Sequence, residues 1–114
     1  MQTYTGIVQK GSETARKLGF PTANIPLREE GISGVYAALV RVGEEEYEAM
    51  VFADSMRQVL EAHLLDFTAD IYGWQVTVTL LEKIRGRKKF KDDMVTKKQL
   101  VKDVEAVQGY FVRR

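Results

Sequence analysis

The sequence predicts a mainly β fold, a single antiparallel barrel followed by one C-terminal α-helix. Three observations carry this. Short runs rich in β-branched and aromatic residues recur between glycine-bearing polar turns. Trp74 to Ile84 alternates, with Trp74, Val76, Val78, Leu80 and Glu82 on one face and Gln75, Thr77, Thr79, Leu81 and Lys83 on the other. The period then changes, and Leu100, Val104, Val107 and Phe111 recur at helical spacing. Closing such strands into a barrel is the simplest arrangement, because it removes exposed edges.

A chain of 114 residues suits one compact domain and is too short for two, so 1–114 is expected to form a single barrel domain. The 45% hydrophobic and 29% charged composition is that of a globular protein and excludes a disordered chain. A net charge of +1 gives no global reason for a nucleic-acid or anionic-membrane partner. Without cysteine there is neither a disulfide framework nor a thiolate metal site, which suits a reducing cytoplasm. Neither a signal-peptide pattern nor an apolar run of bilayer length stands out. The expectation is a cytoplasmic monomer with small-molecule partners, no membrane contact and no nucleic acid.

Taken in order, the first informative segment is Arg16-Lys17-Leu18-Gly19-Phe20-Pro21-Thr22-Ala23-Asn24, after a glycine at Gly11. Pro21 fixes its own φ and biases Phe20 away from helix, so the segment reads as a shaped loop or extended turn. A glycine-bearing loop can bring backbone N–H groups close to phosphate oxygens. Thr22 and Asn24 offer neutral oxygen ligands of the kind Mg²⁺ accepts. The same residue types also make ordinary turns. Next, Val35 to Val42 and Glu46 to Phe52 flank the polar Gly43-Glu44-Glu45 and read as a hairpin.

Glu61-Ala62-His63-Leu64-Leu65-Asp66-Phe67, if extended, places Glu61, His63 and Leu65 on one face and Ala62, Leu64 and Asp66 on the other. A carboxylate within an otherwise apolar strand is costly to bury unless it is paired or employed. Glu61 is therefore either a general base for a hydroxyl substrate or a solvated edge carboxylate. His63 reads as a hydrogen-bonded structural residue, since metal partners are not evident. Asp66 to Gly73 reads as a strand end, a turn and a strand start, with Asp70 a turn residue. Tyr36, Tyr47, Phe52, Phe67, Tyr72 and Trp74 are expected mostly in the core. Arg85-Gly86-Arg87-Lys88-Lys89 is a basic cluster, either a solvated turn or a contact for phosphate or an acidic partner. A helix is expected over about 96–111, with Thr96 and Gln99 as a capping box.

In this order and at this spacing, the segments resemble the riboflavin kinase family, including the kinase module of bifunctional bacterial flavin-synthesis enzymes. The match runs through Gly6-Ile7-Val8, Gly11, the Arg16–Asn24 segment, Gly34-Val35-Tyr36, the Glu61–Phe67 segment and Asp70-Ile71-Tyr72-Gly73 to Arg85, Phe90 and the terminal helix. The resemblance implies a six-stranded Greek-key barrel that moves the ATP γ-phosphoryl group to the ribityl 5′-hydroxyl of riboflavin, giving FMN and ADP with Mg²⁺ or another divalent ion. It implies that Gly11, Arg16, Gly19, Thr22 and Tyr72 bind the nucleotide and that Thr22 and Asn24 hold the metal. Glu61 would be the base, and Arg85 would lie by the flavin. Two positions depart from the family: Ala15 stands where glycine is usual, and Ala53-Asp54-Ser55-Met56-Arg57-Gln58 replaces a longer enclosing loop before Glu61. The departures point to a runner-up, a barrel that binds flavin or nucleotide with little turnover. A small nucleic-acid-binding barrel is a third reading, supported only by the basic cluster and aromatics.

Overall fold

A computed structural model of the protein describes residues 2–10 and 14–113. Along them run β1 (Gln2–Ile7), α1 (Thr14–Lys17), β2 (Ala23–Pro26), β3 (Ser33–Val42), β4 (Glu45–Asp54), β5 (Val59–Leu64), β6 (Gln75–Arg85) and α2 (Asp93–Arg113). The strands form one antiparallel sheet in the order β1-β6-β3-β4-β5-β2. β3, β4 and β5 meander, and β6 returns to pair with β3 on the side away from β4, which is the Greek-key order. The edges β1 and β2 curl toward each other. Just past β1, the Gln9 N–H donates to the Asn24 carbonyl at 2.7 Å, so the barrel is nearly closed.

Alternation sorts the side chains into two cores. Ala38, Val40 and Val42 of β3 and Ala49, Val51 and Ala53 of β4 point inward with Ile25, Leu60 and Val78. The intervening residues Val35, Ala37 and Met50 face outward and pack under Leu100 and Val107 of α2. The expected hairpin is present, with Val42 paired to Glu45 across Gly43-Glu44. The β4–β5 connection is a second tight hairpin, with Asp54 paired to Val59. Within it the Asp54 carboxylate accepts the N–H groups of Met56 at 3.1 Å and Arg57 at 3.2 Å.

Three sequence expectations need correction. The α2 helix starts at Asp93, and its cap is Asp92, whose carboxylate accepts the Val95 N–H at 2.9 Å. Thr96 instead donates its hydroxyl to the Asp92 carbonyl, and Gln99 reaches forward to Asp103, so no capping box forms. Alternation in β6 is interrupted by register shifts that place Glu82 opposite Ala37, on the outer face, and Lys83 opposite Tyr36. Among the aromatics, Tyr36, Tyr47, Phe52 and Phe67 are half-buried against the two cores, whereas Tyr72 and Trp74 are 56% and 54% exposed.

Gly34 explains one of the matching segments. Its φ is +116°, and a Cβ there would overlap the Arg85 carbonyl oxygen. Only glycine lets β3 approach the end of β6 this closely. This contact sets where the basic segment leaves the sheet.

Candidate active site

The register of β2 on β5 brings the two most suggestive sequence segments together. Asn24 pairs directly with Glu61, so their side chains share the outer face of the sheet as cross-strand neighbours. Glu61 is also paired with Phe52, Phe52 with Val35, and Val35 with Arg85. One row therefore crosses five strands, with Asn24 at one end and Arg85 at the other.

The Asn24 end is fixed by local bonds. Carbonyl oxygens only accept, so His63 Nδ1–H donates to the Pro21 carbonyl at 2.8 Å, and the Phe20 ring meets the imidazole edge-on at 5.5 Å. His63 is thus the structural residue expected. It holds the chain just before Thr22, whose hydroxyl donates to Asn24 Oδ1 at 3.0 Å. Asn24 is 4% exposed, one of two buried polar side chains among the described residues. Gly19 ends the turn after α1 at φ +94°, its N–H donating to the Arg16 carbonyl at 3.0 Å.

A groove of about 540 Å³ opens beside this corner, lined by Lys10, Arg16, Thr22, Asn24, Asp70 and Tyr72 among others. Four predicted residues, Arg16, Thr22, Asn24 and Tyr72, therefore meet in one place. Lys10 Nζ stands 5.6 Å from the centroid of the Tyr72 ring at the rim. Asp70 is the turn residue expected, accepting the Tyr72 N–H at 2.9 Å. Gly19 lies outside the lining. Gly11 lies outside the described residues, and Ala15 belongs to the short helix α1.

Glu61 is not a solvated edge carboxylate. Its side chain is 14% exposed, with Arg57 Nη2 at 3.7 Å from Oε1. Burial pushes its pKa above the ordinary glutamate value; Arg57 pulls it back and Asp54 adds to the rise. A carboxylate whose basicity is raised in this way is a better proton acceptor than a solvated one.

Arg85 stands apart from this corner. Strands lie about 4.8 Å apart, which puts it roughly 19 Å from Asn24 along the sheet. Its Nε and Nη2 donate to the two oxygens of Asp103 at 2.9 and 2.8 Å, and its guanidinium lies 5.5 Å from the Phe90 ring centroid. Asp103 is 2% exposed and also accepts from Gln99 at 2.9 Å. The sequence reading missed Asp103. Its signal was an acid three residues after Leu100 and four before Val107, inside the apolar stripe of α2.

Among the described residues no group of three or more His, Cys, Asp or Glu side chains could hold a metal ion. Thr22 and Asn24 supply two neutral oxygens. That donor set fits a divalent ion whose remaining, anionic ligands arrive with a polyphosphate.

Residues 2–111 match the family described as Flavokinase, riboflavin kinase. A Haemophilus influenzae protein named bifunctional riboflavin kinase/FMN adenylyltransferase is 39% identical, over 93% of this chain and 37% of its own length. A Bacillus subtilis protein named RNA-binding riboflavin kinase RibR is 34% identical, over 97% of this chain and 52% of its own length. The chain thus spans about half or less of these relatives. The crystal structure of riboflavin kinase from Trypanosoma brucei shares the fold, with a TM-score of 0.66 at 24% identity over 95% of this chain and 78% of that one.

Proposed function

The chain belongs to the riboflavin kinase family, and on that premise we propose that it transfers the γ-phosphoryl group of ATP to the 5′-hydroxyl of riboflavin, giving FMN and ADP. The observation that carries the proposal is the pairing of Asn24, which lines the groove, with Glu61 on the neighbouring strand outside that lining. It sets a metal-ligand type of side chain next to a shielded carboxylate, on one face and one strand apart.

In this reading the groove takes the nucleotide. Tyr72 offers an exposed ring for the base, and Lys10 and Arg16 face the phosphates. Thr22 and Asn24 would hold Mg²⁺ or another divalent ion. Such an ion would neutralise charge on the group being transferred. Glu61 accepts the proton of the ribityl hydroxyl as its oxygen bonds to phosphorus and the bond to the ADP oxygen breaks. Arg85, locked to Asp103 at the far end of the row, belongs to the flavin side. Phosphoryl transfer asks mainly for placement and charge neutralisation, which this corner can provide.

The tight β4–β5 turn favours one alternative, a barrel that binds flavin or nucleotide but turns over slowly, because little chain covers Glu61 from that side. We assign no nucleic-acid role. Arg85 of the basic cluster is committed to Asp103, and Arg87 stands 3.9 Å from Asp54. Among the described residues no helix is long and apolar enough to cross a membrane. We also propose a cytoplasmic monomer acting on small molecules alone. The test is incubation with riboflavin, ATP and Mg²⁺, followed by chromatography for FMN. FMN formation supports the kinase. Flavin binding without FMN supports the alternative.

A further inference from the structure

We infer that Arg57 is a catalytic residue that contacts the transferred phosphoryl group; the inference rests on the kinase reading. Arg57 sits in the four-residue turn that joins β4 to β5, and that turn is well anchored. The Asp54 carboxylate accepts two of its N–H groups. Gln58 leaves it at φ +57°, and its carbonyl accepts the Leu27 N–H at 2.9 Å. The root of Arg57 is thereby held beside Glu61, while the rest of the side chain stays 51% exposed.

The guanidinium is near the carboxylate but not spent on it. Its closest approach to Glu61 is 3.7 Å, longer than a hydrogen bond, and it makes no side-chain hydrogen bond among the described residues. Arg85 differs: its Nε and Nη2 donate to both oxygens of Asp103. The Asp54 carboxylate is engaged by the backbone N–H groups of the turn. Arg57 is therefore a half-exposed cation at ion-pair distance from Glu61, one strand from Asn24, with its donors still available.

The chemistry needs a cation there. The reacting hydroxyl lies at Glu61 and the polyphosphate at Asn24, so negative charge collects between two adjacent strands. Thr22 and Asn24 bring none of the neutralising charge themselves. A planar guanidinium with unused donors can grip two phosphoryl oxygens at once. The short turn thus places a phosphate-binding side chain at the position from which a longer loop would enclose the site.

The test compares wild type with Arg57→Gln and Arg57→Lys. Affinities for Mg²⁺-bound ADP and for a non-hydrolysable Mg²⁺-bound ATP analogue are measured by calorimetry, alongside FMN formation in a single turnover. Loss of one charge-assisted phosphoryl contact should weaken Arg57→Gln for the ATP analogue by roughly tenfold and leave ADP unchanged. Its FMN formation should fall by about 10²-fold or more, with Arg57→Lys partly restored. An unchanged preference for the ATP analogue over ADP in Arg57→Gln overturns the assignment, whether or not FMN is formed. Wild type that forms no FMN but shows the affinity effect would instead refute the kinase reading and keep Arg57 as a γ-phosphate ligand. Melting temperatures within about 2 °C of wild type show that the variants fold, as expected at an exposed turn position.

Discussion

Glu61 is costly where it stands, and its surroundings offset little of that cost. A half-exposed arginine at 3.7 Å offsets only part of the desolvation, since such a pair contributes about 0–1 kcal/mol. Glu61→Gln keeps the shape of the side chain but cannot take a proton. The variant should lose about 10²-fold in FMN formation, the low end of the 10²–10⁴ span for a general base, because a loose phosphoryl-transfer transition state needs little activation of its nucleophile. Binding of Mg²⁺-bound ATP should be spared; turnover within a few-fold of wild type would return Glu61 to a structural role. The raised pKa also predicts the pH dependence of stability. A carboxyl group whose pKa is higher folded than unfolded penalises the fold wherever it is ionised, and the penalty vanishes once both states are protonated. Metal-free Glu61→Gln should therefore be at least as stable as wild type near pH 7, with the difference closing toward about pH 3, below the ordinary glutamate range. Denaturant titrations at both pH values check this, and a variant clearly less stable near pH 7 contradicts it. Glu61 and His63 were legible in the sequence because alternation in a short strand assigns faces. Arg57 and Asp103 were not, because their partners are set by a turn and by helix docking, which no local pattern records.

At the scale of elements, the glycine at the start of β3 has consequences far along the chain. Gly34 has φ +116° and lies against the Arg85 carbonyl, so Gly34→Ala must strain the backbone and push β3 from β6 together. The strain alone is worth about 1–3 kcal/mol. Denaturant unfolding should show a loss of at least that size, together with weaker flavin binding, because Arg85 and the segment after it shift. A Gly34→Ala protein of wild-type stability would contradict the close approach. The hairpin at Gly43-Glu44 and the run of apolar residues in α2 could be read directly, since turn chemistry and helical period are local signals. The interruptions in β6 could not. They arise where the β3–β6 register shifts, between Val35 and Tyr36 and between Ala37 and Ala38, and they turn Glu82 to the face opposite the one its spacing implies. The start of α2 was misplaced for a related reason: Asp92 outcompetes Thr96 as cap, and both are residues that caps favour.

Across the whole molecule, the two faces of the sheet are used differently, although the inner-core residues Val8, Ala62, Leu64 and Ile71 also line the groove. Inward side chains make one core. The outer face carries the row from Asn24 through Glu61 to Arg85, roofed in part by α2. Composition and alternation indicated a β-barrel with a terminal helix, but not the strand order. Residues 37 positions apart in sequence, Asn24 and Glu61, become neighbours only through the β2–β5 pairing. The segments that carry the family resemblance were therefore legible one by one, while the geometry that joins them was not. The central claim is that this corner passes phosphate directly from nucleotide to flavin. Single-turnover incubation of the protein with riboflavin, Mg²⁺ and ATP labelled in its γ-phosphoryl group tests it most directly. The account predicts label in FMN, one equivalent for each ADP formed, and little label in either FMN or free phosphate with Glu61→Gln. Label released only as inorganic phosphate, or retained entirely in ATP by the wild-type protein, would contradict it.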